Sequence, residues 1–252
     1  MRRIILVGIC LLIVGLSSFA QAQDKPVLAW IENIQAKPGT EAQLEVALQK
    51  HYAWHAAQND PWPVYVWVII TGDRTGQYLI GAFGSTWKNY DDREAFEMAD
   101  MKEAVATIGP HVGNFTSFIL AYDEEMSRPP DTPGPAKFCQ LTRYYVKPKA
   151  AIAFHDAVKE IKAALDGAAY PVRNRWYALV SGGEVPCWVN ATDRSNWADF
   201  AGPEKNLRKT LEEKLGGRQA TELIDQVVGS CDRITTEIIV YRPDISYIPA
   251  KK

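Results

Sequence analysis

The stretch Ser85-Thr86-Trp87-Lys88-Asn89-Tyr90 recurs as Ser195-Asn196-Trp197-Ala198-Asp199-Phe200, a shift of 110 positions (197 − 87). The same shift carries Lys37-Pro38 onto Lys147-Pro148 and Thr71-Gly72 onto Ser181-Gly182. About sixty positions of each half therefore align without a gap, and a repeat of that length constrains the fold more than any local signal, because both halves must adopt the same unit.

The chain opens with the positive residues Arg2 and Arg3, an apolar run over residues 4–16, and the small-residue pattern Ala20-Gln21-Ala22. These are the three parts of a secretory leader. The reading predicts a signal peptide over 1–22, a mature chain from near Gln23, and a periplasmic or secreted location. The apolar run is short for a bilayer span and none follows later, so no membrane span is expected after cleavage. Removing two arginines leaves 26 basic residues (28 − 2) against 30 acidic ones, with no basic stripe, which argues against a nucleic-acid partner. A hydrophobic fraction of 47% supports a packed core and excludes a disordered chain.

Residues 27–36 read as a strand ended by Lys37-Pro38-Gly39. Thr40 and Gln43 have the spacing of a capping box, and Leu44, Leu48, His51 and His55 form one stripe of the following helix. Asn59-Asp60-Pro61 stops it. Residues 64–70 and 77–83 read as a hairpin around turn residues 72–76. Ser85 and Ser195 are each expected to cap a short helical turn that carries the repeated tryptophan. Met98, Met101, Val105 and Ile108 predict a second amphipathic helix with that stripe buried, and residues 116–122 a last strand. The order is βαββαβ. A proline-rich linker over 128–137 separates this repeat, 23–127, from the second, 138–252. In the second repeat nine added residues (119 − 110) split the last helix near Gly216-Gly217.

Each βαββαβ unit makes a four-stranded antiparallel sheet with helices on one face and an apolar other face that needs cover. The element order, the strand ending Lys37-Pro38-Gly39 and the repeated Ser-x-Trp-x-x-aromatic turn resemble the dimeric α/β-barrel superfamily, with likeness to its antibiotic-biosynthesis-monooxygenase-like and NIPSNAP-like families. The fold class is thus α+β: two tandem ferredoxin-like repeats forming a fused dimeric α/β barrel, a pseudo-dimer within one chain. The resemblance implies cofactor-free oxygenases, haem-binding enzymes, isomerases or proteins without activity, and it carries no catalytic motif onto this chain.

Chemistry is sparse. At the 110-residue shift His51 corresponds to Ile161 and His55 to Leu165, so the first repeat places imidazoles where the second has core. Two histidines four apart on one helical face form a bidentate metal pair or an acid–base pair. A half-buried structural histidine bonded to a backbone carbonyl is the simpler alternative. Glu32, Asn33 and His111 are candidate pocket residues beside them. Of the cysteines left after processing, Cys187 and Cys231 fall at one end of the expected sheet and Cys139 at the other, so any intrachain bridge is expected between Cys187 and Cys231. Two functions remain open, and no cofactor is specified. One is a small-ligand-binding or scaffold module. The other is a cofactor-free or metal- or haem-assisted oxygenase or isomerase with its site in the first repeat. The scarcity of convergent polar groups favours the module.

Overall fold

The computed structural model describes residues 28–132 and 134–250, and the leader predicted over 1–22 lies outside them. Strands β1 (Leu28–Ala36), β2 (Tyr65–Ile69), β3 (Tyr78–Ser85) and β4 (Val112–Arg128) come from the first half. The second half supplies β5 (Phe138–Val146), β6 (Asn174–Ser181), β7 (Cys187–Arg194) and β8 (Cys231–Tyr241). All pair antiparallel and close into a barrel in the order β1-β3-β2-β8-β5-β7-β6-β4. The halves join along two seams, where Trp67 to Ile69 face Tyr241 to Ile239 and where Ile119 to Asp123 run opposite Ser181 to Trp176. At the hairpin between β6 and β7, Gly182 has φ +96, and a Cβ there would meet the Ser117 carbonyl at 2.3 Å, so only glycine fits.

Alternation along the strands sorts side chains to two faces. Ala29, Ile31, Trp67, Leu79, Leu120, Leu141, Tyr177 and Ile239 point into the barrel interior. The outer face carries the helices: α1 (Glu41–Ala57), the short α2 (Trp87–Asp92) and α3 (Glu94–Thr107) on the first half. On the second half lie α4 (Ala151–Gly167), α5 (Leu207–Leu215) and α6 (Gly217–Gly229), the break between the last two falling at Gly216. β1 and β5 differ in position by 110 (138 − 28), as do α1 and α4 (151 − 41). α1 packs Leu44, Leu48 and Tyr52 against Ile34, Val66 and Ile80. That core also holds Ile245 and Tyr247 from the end of the chain, where Tyr247 pairs with Val64. The second half therefore completes the core of the first.

Several local expectations need correction. Thr40 makes no cap bond, because its hydroxyl donates to the carbonyls of Lys37 (2.9 Å) and His111 (3.2 Å) instead. The short turns are capped one residue later than expected, by Thr86 with Asn89 and by Asn196 with Asp199. Met98, Met101 and Val105 are not buried but about 70% exposed, and of that stripe only Ile108 is in the core. α3 instead turns Phe96, Asp100 and Glu103 inward, toward α1. Cys139, Cys187 and Cys231 are free thiols, with Cys187 opposite Tyr145 and Cys231 opposite Val146 on the two sides of β5. Among the described residues no helix is long and apolar enough to cross a membrane.

Since the α3 stripe faces solvent, Met98→Lys and Met101→Lys should each change stability by no more than about 0.5 kcal/mol in urea unfolding. A buried stripe would lose several times that.

On β8, Glu237 receives Arg74 through two bonds (2.6 and 2.8 Å) and Arg143 through one (2.7 Å). Burial alone would raise its carboxyl, but the two guanidiniums hold it below the ordinary range. A carboxyl depressed on folding contributes stability above its unfolded pKa and loses it as pH falls through the folded value. Glu237→Gln should cost about 3 kcal/mol near neutral pH. The gap from the parent should shrink below about pH 4.5, read from urea midpoints.

Candidate functional site

The C-terminal half of α1 places His51 and His55, one turn apart, on its buried face. Their Nε2 atoms lie 3.1 Å from each other. Across the interhelical gap, Asp100 Oδ1 of α3 stands 3.2 Å from both of these nitrogens. That oxygen is buried and makes no directed hydrogen bond, so three donor atoms of metal-ligating type face one another at a single point.

The outer nitrogens are held as well. His51 Nδ1 meets Glu103 Oε2, and Glu103 accepts from Thr107. Glu103 follows Asp100 by three positions, which sets both carboxylates on one face of α3. His55 Nδ1 lies 2.8 Å from Asp60 Oδ2. Asn59 makes that contact possible: at φ 55 it takes the left-handed conformation asparagine tolerates, and the chain folds back so that Asp60 N–H donates to the His55 carbonyl. Asp60 is fixed in turn by Arg93 Nη1 at 2.6 Å and by the Trp62 N–H at 3.2 Å. Arg93 lies over the rings of Trp62 and Phe96.

Charge in the cluster is predominantly negative. Burial alone would depress the His55 imidazolium, yet its contacts with Asp100 and Asp60 carry it up to about 9. Burial would raise Asp60, but His55 and Arg93 hold it below the usual carboxylate range. Glu32, on the helix-facing side of β1, is pushed up to about 7 by burial and then by the charge of Asp100. Tyr52 rises well above its ordinary value from burial, Glu32 and Asp100.

Of the five residues singled out from the sequence, the structure brings together His51, His55 and Glu32. Asn33 points the other way, into the barrel, where its Nδ2 donates to Gln77 at 2.5 Å. His111 lies in the turn before β4, where its carbonyl receives Lys37 N–H, and it borders a separate groove with Ala42, Val46 and Thr107. Sequence reasoning missed Asp60, Arg93, Asp100 and Glu103. The available signal is the spacing Asp100, Glu103, Thr107, masked by the more hydrophobic stripe on the same helix.

A haem fits the gap between helix and sheet in neither half. In the first, α3 covers the imidazoles, and their nitrogens already face Asp100, Glu103, Asp60 and each other. In the second, Phe154, Val158 and Trp176 fill the space, and His155 turns to Asp123 at 3.0 Å. The counterparts of the imidazoles there, Ile161 and Leu165, pack under Leu211 and Ala220.

The Asp60 side chain is wholly buried and serves two partners, so Asp60→Ala should cost about 3 to 5 kcal/mol by leaving Arg93 and His55 without their carboxylate. Equilibrium unfolding in urea measures it.

No family model and no curated protein matches this sequence. Similar solved structures cover most of the chain at low identity. A candidate monooxygenase from Lactobacillus acidophilus superposes with a TM-score of 0.54 at 11% identity, over 89% of this chain and 97% of that one. An anthrone oxidase-like protein gives 0.57 at 11%, over 88% and 92%. Chlorite dismutase from Candidatus Nitrospira defluvii, in complex with imidazole, gives 0.53 at 10%, over 88% and 94%. At such identities the likeness is one of fold, an α+β ferredoxin-like architecture with an antiparallel sheet.

Proposed function

We propose that the protein is a secreted or periplasmic small-ligand-binding module whose first half binds one divalent transition-metal ion between α1 and α3. His51 Nε2, His55 Nε2 and Asp100 Oδ1 are the ligands. The observation that carries the reading is the doubled arrangement of the imidazoles, with the inner nitrogen of each turned to a shared point and the outer nitrogen held by a carboxylate. Such outer carboxylates fix the ring and the tautomer in metal sites. Two imidazoles and one carboxylate suit zinc or iron(II) and leave coordination positions for another ligand. The finer architecture, two copies of one unit fused into the equivalent of a dimeric barrel, is supported by the 110-residue offset of their elements. Export rests on the predicted leader, and a mature N-terminus near Gln23 would support it.

A second reading, metal-assisted acid–base chemistry, is favoured by Glu32. Burial, and then the charge of Asp100, raise its carboxyl in the metal-free protein and couple it to the donor set. Bound metal would supply Lewis-acid polarisation, and Glu32 would hold or release the proton.

Titration of the purified protein with zinc(II) by calorimetry, and with cobalt(II) by visible absorption, should give one ion per chain. Asp100→Asn should weaken binding and change the cobalt spectrum, while Glu103→Gln should lower affinity about 10- to 100-fold. A parent protein that takes up neither ion, or an Asp100→Asn variant that binds as tightly as the parent, overturns the assignment.

A further inference from the structure

The barrel interior, on the opposite side of the sheet from the metal donors, holds a cavity of about 240 Å³. Small barrels of eight strands are just wide enough to be filled by side chains or to hold one small ligand. Here Ala191 on β7 stands at an inward position among larger neighbours, and the walls are mainly Trp67, Phe118, Tyr177 and aliphatic side chains. Leaving such space unfilled forfeits packing that another aliphatic side chain would recover.

Charged groups reach into this apolar space. Arg175 on β6 pairs with Asp193 on β7 at 2.7 Å, and Arg143 on β5 contacts Glu237, which Arg74 already engages through both carboxylate oxygens. Of these, Arg143, Arg175 and Asp193 line the cavity, while Arg74 and Glu237 stand outside its lining at the Arg143 end, so the lining itself carries one positive charge (2 − 1). A purely structural core has no need of that surplus, because buried charge is costly unless fully paired. Size narrows the occupant further. A dry cavity of about 150 Å³ accepts benzene, so one of 240 Å³ suits a flat apolar molecule of about ten non-hydrogen atoms.

We propose that the barrel interior is a second binding site, specific for a small aromatic acid. Its ring packs among Trp67, Phe118 and Tyr177, and its anionic group turns toward Arg143. Guanidinium recognises carboxylate through charge-assisted hydrogen bonds, and aromatic walls favour a planar body. Both faces of the sheet then carry a ligand: metal outside, under the helices, and the acid inside.

The test uses trans-cinnamate as the probe and cinnamyl alcohol as its uncharged counterpart, titrated calorimetrically into the full mature chain. One cinnamate per chain should bind, about tenfold more tightly than the alcohol. Arg143→Gln should erase that preference. Ala191→Leu, which narrows the cavity, should abolish binding of both probes; if that variant does not fold, Leu141→Phe occupies the same space. His51→Gln, which disables the metal site, should leave cinnamate binding unchanged, so the two sites fail separately. No saturable binding of cinnamate, equal affinity for acid and alcohol, or undiminished binding in the filled variants overturns the proposal.

Discussion

Backbone pairing across the two seams, β2 with β8 and β4 with β6, is the constraint on which the rest of the structure depends. Either half taken alone would present strands β2 and β4, or β6 and β8, as open edges with unpaired N–H and C=O groups. Closing the ring satisfies all four edges at once and encloses an interior that neither sheet could enclose by itself. The tail after β8 extends the dependence, since Ile245 and Tyr247 return to the first half and pack under α1. Tyr247 also donates its hydroxyl to the Asp60 carbonyl at 2.6 Å, so the far end of the sequence supports the loop that holds His55.

Closure fixes the inner face of the sheet and leaves the outer faces free to differ. In the second half α4 is covered by both α5 and α6, and the space between them is apolar. In the first half one helix, α3, does the covering, and its inward face is acidic. Bringing Asp100 and Glu103 out of water is tolerable because His51 and His55 meet them, and those imidazoles are in turn tolerable because each finds a carboxylate. The cluster is a mutual arrangement: removing one side strands the other in a place where apolar groups would be cheaper. This explains why a helix with a usable hydrophobic stripe nevertheless turns Met98, Met101 and Val105 to solvent.

Strand β1 carries the division between the two faces. Glu32 looks toward the helices and the imidazoles, while its neighbours Ile31 and Asn33 look into the barrel. A period-two strand cannot send adjacent residues to one pocket, so the two polar neighbours serve different environments. Burial with Asp100 nearby shifts Glu32 toward neutrality, whereas Asn33 is satisfied by Gln77 through a neutral amide contact.

By itself the sequence determined the element order, the antiparallel pairing within each half, the break near Gly216 and the unusual character of His51 and His55. Each of these rests on local spacing: period two in strands, 3.6 in helices, and the comparison of one half with the other at a shift of 110. The imidazoles stood out because Ile161 and Leu165 occupy the same steps of the matching helix. Only the tertiary structure decided which stripe of α3 is buried, because two stripes of that helix have helical spacing and the choice depends on what α1 presents across the gap. It likewise decided that Asp60 and Arg93 belong to the site, since they join it through a backward turn at Asn59 and a contact 33 positions away in the chain. The inner cavity lay further from view, being bounded by single inward residues from different strands that no local pattern connects.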